Sequence, residues 1–164
     1  MILQAVTPEA AYAVGLQCRP RDRQEFGAAT GIRQPDELAQ WMGERYGSLD
    51  GLLTASDDEG ELICVGGAIH VRPGTCALLF YATDSFEEIA LSMTRFIKRQ
   101  YFPQLEAGGY HRIECVTSAA YPEMQKWLEI LGMKREGLLR AYGAGGEDFV
   151  QYARVSFAGG HREQ

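Results

Sequence analysis

The sequence predicts an α/β fold of the α+β kind, one mixed sheet with helices packed on it, and three observations carry that expectation. Apolar runs with period-two alternation recur through the middle and the end of the chain. The period changes to that of a helix face after Asp84 and again after Ser118. The strands at Cys76–Ala82 and Arg112–Thr117 flank the first of those helices, so one crossover sets them side by side and parallel. With 164 residues and 46% apolar content the chain has enough for one core and too little for two. Residues 1–157 are therefore read as a single domain, followed by a polar tail at 158–164.

Met1 to Val6 is a short apolar strand that stops at Thr7-Pro8, an N-cap followed by proline at the first helical position. Ala10 to Leu16 continue as a helix. The stretch CRPRDRQEFGAATG places Arg19, Arg21, Asp22, Arg23 and Glu25 ahead of Gly27 and Gly31, and Gln34-Pro35-Asp36 opens a run through Leu38, Trp41 and Met42 to Gly47. This region reads as two short helices joined by turns. The interleaved charges of Arg19, Arg21 and Arg23 with Asp22 and Glu25 read as a solvated, self-paired helix face. Leu49–Ala55 and Glu61–Val71, separated by Ser56-Asp57-Asp58-Glu59-Gly60, make a hairpin, and Cys76–Ala82 adds a third strand to an antiparallel meander.

The helix of residues 85–101 follows from the stripe Phe86, Ile89, Ala90, Met93, Phe96 and Ile97, with Ser85 and Glu88 spaced as a capping box. Ile113, Cys115 and Thr117 then alternate with Arg112, Glu114 and Val116. Met124, Trp127, Leu128 and Leu131 recur at helical spacing between Pro122 and Gly132, which places Trp127 and Leu131, like Trp41, in the core. Met133–Tyr142 and Asp148–Val155 close the chain as two strands across the flexible turn Gly143-Ala144-Gly145-Gly146-Glu147.

A formal net charge of −6 argues against a sequence-independent hold on nucleic acid, which needs clustered Lys and Arg. No apolar run reaches the roughly 18 residues of a membrane span, and MILQAVTPEA lacks the basic start and long apolar stretch of a signal peptide, so a soluble, cytoplasmic protein is expected. Cys18, Cys64, Cys76 and Cys115 fall one to an element and read as buried, reduced thiols. His70, His111 and His161 are scattered, and no metal site is expected.

The order strand, helices, three strands, helix, strand, helix, two strands resembles the GNAT acyltransferase superfamily. The likeness is sharpest where RIECVTSAAYPEMQKWLEILGMKREGLLRAYGAGGEDFVQYARV follows that family's last strand and helix, its "LGF" stop (here Leu131-Gly132-Met133), its "EG" pair (Glu136-Gly137) and its closing hairpin. RPRDRQEFGAATG and KWLEILGM are also similar to GNAT-like proteins encoded by tailed phages, including the internal virion protein of short-tailed coliphages. The family resemblance implies a twisted, mostly antiparallel sheet with helices on both faces and a parallel pair splayed at one end. It also implies acetyl-CoA, its pyrophosphate seated at the helix start after the fourth strand, here Ala82, Thr83, Ser85 and Phe86.

That turn departs from the family's Gln/Arg-x-x-Gly-x-Gly/Ala loop. It has no glycine and carries Asp84, Glu87 and Glu88. A helix N-terminus favours an anion by about 0.3 to 2 kcal/mol, whereas one carboxylate about 5 Å from a phosphate opposes it by roughly 3 kcal/mol at an effective dielectric near 20. The position of the family's tyrosine acid holds Leu128, and Thr117-Ser118 stand where many members have asparagine. Ser118, Tyr121 and Glu114, with His70, are the residues able to substitute. The resemblance thus implies a phage- or prophage-type GNAT-fold protein with a degenerate acetyl-CoA loop, serving in virion structure or assembly with other virion proteins. The alternative is an acetyl-CoA-dependent N-acetyltransferase acting on an amine.

Overall fold

The computed structural model describes residues 1–157; the tail expected at 158–164, with His161, lies outside them. The elements run β1 (Ile2–Ala5), α1 (Pro8–Leu16), α2 (Pro20–Thr30), α3 (Pro35–Tyr46), β2 (Leu52–Ser56), β3 (Leu62–Arg72), β4 (Thr75–Ala82), α4 (Phe86–Phe96), a π-helical turn (Ile97–Tyr101), α5 (Phe102–Ala107), β5 (Arg112–Ser118), α6 (Pro122–Ile130), β6 (Lys134–Leu139) and β7 (Phe149–Val155). One seven-stranded sheet has the order β1-β2-β3-β4-β5-β7-β6. Every neighbouring pair is antiparallel except β4 with β5.

Proline opens α1, α2, α3 and α6, where the first turn has no use for its missing N–H. Thr7 caps α1 by accepting the Ala10 N–H at 3.1 Å. The front of the chain forms three helices, and the charged stretch read as a helix face is α2. It ends at Gly31 with φ 79°, a left-handed cap that glycine adopts without strain. The capping box expected at Ser85 does not form. Ser85 already has helical dihedrals, φ −68° and ψ −5°, and makes no side-chain cap bond, whereas a capping serine needs an extended backbone. The helix expected to end at residue 101 instead continues through the π turn into α5, because Pro103 offers no N–H to the preceding turn and the looser turn absorbs the mismatch.

Helices cover both faces. On one, α1 and α3 bury Val14, Leu38 and Met42 against Leu52, Val65 and Tyr81. Gly15 permits this close fit, since a Cβ there would lie 2.8 Å from the Met42 sulfur. On the other, Phe86, Ile89 and Met93 of α4, Phe102 of α5, and Met124 and Leu128 of α6 pack on the sheet. Leu131 is buried as expected, but Trp127 is only partly so. Its ring lies 4.9 Å from Phe80 and 5.4 Å from Phe86, and its Nε1–H donates to Thr94 Oγ1 at 2.9 Å, which keeps one edge near the surface. All four cysteines are free; burial pushes their thiols up to about 11 or 12, so they stay protonated. Among the described residues, no helix is long and apolar enough to cross a membrane.

β4 and β5 pair only at Thr75↔Arg112, Cys76↔Ile113 and Ala77↔Glu114. Beyond Ala77 they part. Their outer edges stay fully paired, β4 with β3 as far as Ala82 and β5 with β7 as far as Ser118, so the sheet opens between two otherwise rigid strands.

Candidate functional site

A cleft of about 720 Å³ passes through this opening, walled by Leu78, Leu79 and Phe80 of β4, by Cys115, Val116 and Thr117 of β5, and by residues from both helical layers. Its open end is bridged by α2. Arg19, Asp22 and Glu25 recur three apart and so share a side of α2 and its N-cap. Asp22 is fully buried. Its Oδ2 accepts the Ala82 N–H at 2.9 Å, its Oδ1 accepts the Tyr121 hydroxyl at 3.1 Å, and both oxygens take the Arg19 guanidinium, at 2.9 and 3.1 Å. The Arg19 amide donates to the Ala82 carbonyl at 2.8 Å, and the guanidinium lies over the rings of Phe80 and Phe86, 5.7 and 5.2 Å from their centres. One turn on, Glu25 Oε1 accepts the Ser118 N–H and the Thr117 hydroxyl. The two carboxylates thus occupy the last free amides of the two parted strands.

Burial raises the Glu25 carboxyl above the ordinary range, against the bonds from Thr117 and Ser118 that lower it. Burial, and then the negative charge of Asp22, push the Tyr121 phenol up as well, so it stays protonated with its proton directed at Asp22.

Of the residues singled out from the sequence, the structure brings Ser118 and Tyr121 together at this open end. Ser118 Oγ accepts the Ala120 N–H at 3.1 Å, and Tyr121 is buried beneath Arg21, which also donates to the Ala120 carbonyl at 2.9 Å. Glu114 is elsewhere. It pairs with Arg112 at 2.7 Å, and Arg112 in turn holds Glu136 at 2.6 Å, so its carboxylate is taken up by a strand-face ion pair and is no base for the cleft. His70 is exposed near the closed end of the opening, opposite Cys76, with Nδ1 2.9 Å from the Tyr110 hydroxyl. Ala82 has its N–H and C=O bound by α2, and Phe86 is buried against Phe80 and Trp127. Thr83 is buried with its Oγ1 unpartnered, while Ser85 is half-buried and Asp84, Glu87 and Glu88 are exposed.

The charged face read as solvated is instead half interior, and Asp22 and Glu25 are the residues the sequence reading missed. The available signal was the R-x-x-D-x-x-E spacing, three charges on one helical side. The glycine-rich turn before β7 is likewise anchored rather than free: Ala144 donates to the Ala28 carbonyl at 2.8 Å, and Arg33 pairs with Glu147 at 3.1 Å, so the closing hairpin docks on the end of α2.

No family model matches the sequence, and no curated protein does. Solved structures do match. A GNAT superfamily phosphinothricin acetyltransferase from Sinorhizobium meliloti, in complex with AcCoA, superposes with a TM-score of 0.68 at 19% identity over 94% of this chain and 87% of its own. The fold is the GNAT acetyltransferase fold. A GNAT-family acetyltransferase from Bacillus anthracis gives 0.69 at 13% identity, over 93% of each chain. A spermidine N-acetyltransferase variant from Vibrio cholerae gives 0.65 at 14%, over 94% of this chain and 95% of its own.

Acetyl-CoA fits the GNAT cleft here in part. The parted strands leave a largely apolar slot of about 720 Å³, but Thr83, whose Oγ1 is buried without a partner, does not line it. The turn itself gives a phosphate no glycine-lined cradle. Because Asp84, Glu87 and Glu88 are exposed and free to swing into water, each opposes a phosphate about 5 Å away by roughly 1 kcal/mol rather than 3. That is comparable to the attraction of the helix start.

Proposed function

We propose that this protein is an acetyl-CoA-dependent N-acetyltransferase with a weakened grip on the cofactor's phosphates. The observation that carries the reading is the cleft between β4 and β5 with a partly buried carboxylate, Glu25, on its wall. Acetyl-CoA, when bound, supplies the thioester. Glu25 takes the proton that an ammonium must lose before its nitrogen attacks, and the proton affinity that burial raises favours that transfer. Amide formation would free a second proton from the nitrogen, and the departing sulfur would need one. Tyr121 is poorly placed to pass it on, because its hydroxyl is bound to Asp22, and the Ser118 hydroxyl is the group that would relay the nitrogen's proton to the sulfur, giving up its own and regaining that one. The test is thiol release from acetyl-CoA over a panel of amines. We expect release that Glu25→Gln lowers by about 100-fold; no release with any amine at millimolar acetyl-CoA overturns the reading.

A second reading has its own support: a phage-type virion or assembly component that keeps the scaffold without the chemistry. It draws on the turn without glycine and on RPRDRQEF, the stretch similar to phage proteins, which folds here as the N-cap and helix that bridge β4 and β5. Calorimetry separates the two. Heat of binding with acetyl-CoA supports the enzyme, and none up to millimolar concentration supports the scaffold.

A further inference from the structure

The wall of the cleft toward α2 and α3 differs in kind from the wall toward α4 and α6. Phe26, Trp41 and Tyr46 form an aromatic group with ring centres 5.3 Å apart for Trp41 and Tyr46 and 6.3 Å for Phe26 and Tyr46. The closing hairpin contributes Tyr142 and Phe149, 5.1 Å apart. Phe149 is the register partner of Ser118, whose amide is bonded to Glu25, so the aromatic wall and the carboxylate meet at the same strand position. Both bonds to Glu25 end on Oε1, and among the described residues none ends on Oε2. The charged side chains lining the cleft are Glu25, partly buried, and Arg45, exposed.

We propose that this recess receives a hydrophobic monoamine, its ammonium on Glu25 Oε2 and its apolar body against the rings of Phe26, Trp41 and Phe149. An ammonium gains a charge-assisted bond and the faces of aromatic rings, neither of which a neutral isostere obtains. A polyamine loses on two counts. Its second cation meets Arg45, and its inner amine would be stripped of water along mostly apolar walls. The ligand class rests on the acyl-transfer reading only for the chemical step after binding, since the recess needs no cofactor to be occupied.

The experiment titrates 2-phenylethylamine, 2-phenylethanol and spermidine into the protein alone, with binding read by calorimetry and by the fluorescence of Trp41 and Trp127. Saturable binding of the amine at least tenfold tighter than that of the alcohol or of spermidine is expected, and Glu25→Gln should remove that margin without lowering the unfolding midpoint. Arg45→Glu, an exposed substitution, should raise spermidine affinity at least fivefold and carries the test if the Glu25 variant does not fold. Equal binding of alcohol and amine, a preference for spermidine, or indifference to both substitutions overturns the proposal. Binding of the amine without acetyl transfer would overturn the enzymatic reading and leave the recess standing. Transfer to spermidine alone would do the reverse.

Discussion

Replacing Asp22 by alanine removes, at one fully buried position, the acceptor for three groups: the Arg19 guanidinium, the Ala82 N–H and the Tyr121 hydroxyl. Breaking a buried ion pair from one side costs about 3 to 5 kcal/mol, and each buried donor left unmatched costs about 1 to 3. These do not add. The Arg19 side chain is 20% exposed and can turn to water, and the space vacated by the carboxylate admits a water molecule to the two remaining donors. The net expectation is a loss of about 3 to 5 kcal/mol, which at this size lowers the thermal midpoint by roughly 6 to 20 °C. Tyr121→Phe, which deletes one donor to a charged acceptor, should cost about 1.5 kcal/mol by itself and nothing once Asp22 is gone. Urea unfolding of the four proteins in that cycle measures both numbers. A loss below 1 kcal/mol for Asp22→Ala, or a Tyr121→Phe effect that is the same with and without Asp22, would falsify the bridging role assigned to α2.

Two further predictions concern charge. Burial raises the Glu25 carboxyl above its unfolded value, so its ionised form costs stability; that cost is complete above the raised folded value and vanishes below the unfolded one. Glu25→Gln, whose amide oxygen can still accept from Thr117 and Ser118, should be at least as stable as the parent at pH 7, with the advantage disappearing as the pH falls toward 4, read from thermal midpoints across that range; an advantage that grows in acid would contradict the burial argument. Glu87→Gln should tighten acetyl-CoA binding about fivefold at low salt and much less at 0.5 M, since the repulsion removed is screened within about 10 Å at 0.1 M, and a salt-independent change in calorimetry would mean that the effect is not Coulombic.

The strand periods at Arg112–Thr117 and Cys76–Ala82, the Gly132 stop and the proline helix starts are visible in the sequence because each depends on neighbours within a few residues. So is the parallel pair, since a helical crossover between two apolar strands leaves little other choice. Trp127 shows where periodicity stops being sufficient: its place on the apolar stripe is right, but its depth depends on how Phe80 and Phe86 fill the space beneath it. The capping box at Ser85 fails for the same kind of reason, because its spacing was right and its backbone dihedrals were set by the turn from β4.

By itself, then, the sequence determined the fold: local periodicity, turn residues and one crossover lead to the mixed sheet with its parallel pair. The site was another matter. Among charges spaced three apart on a helix, nothing local separates a solvated face from one that bridges two strands, because what buries Asp22 is Ala82, 60 residues away, and Tyr121, 99 residues away. The environment of a carboxylate, and with it its proton affinity and its use, is a property of distant chain segments brought together, and only the tertiary structure decides it.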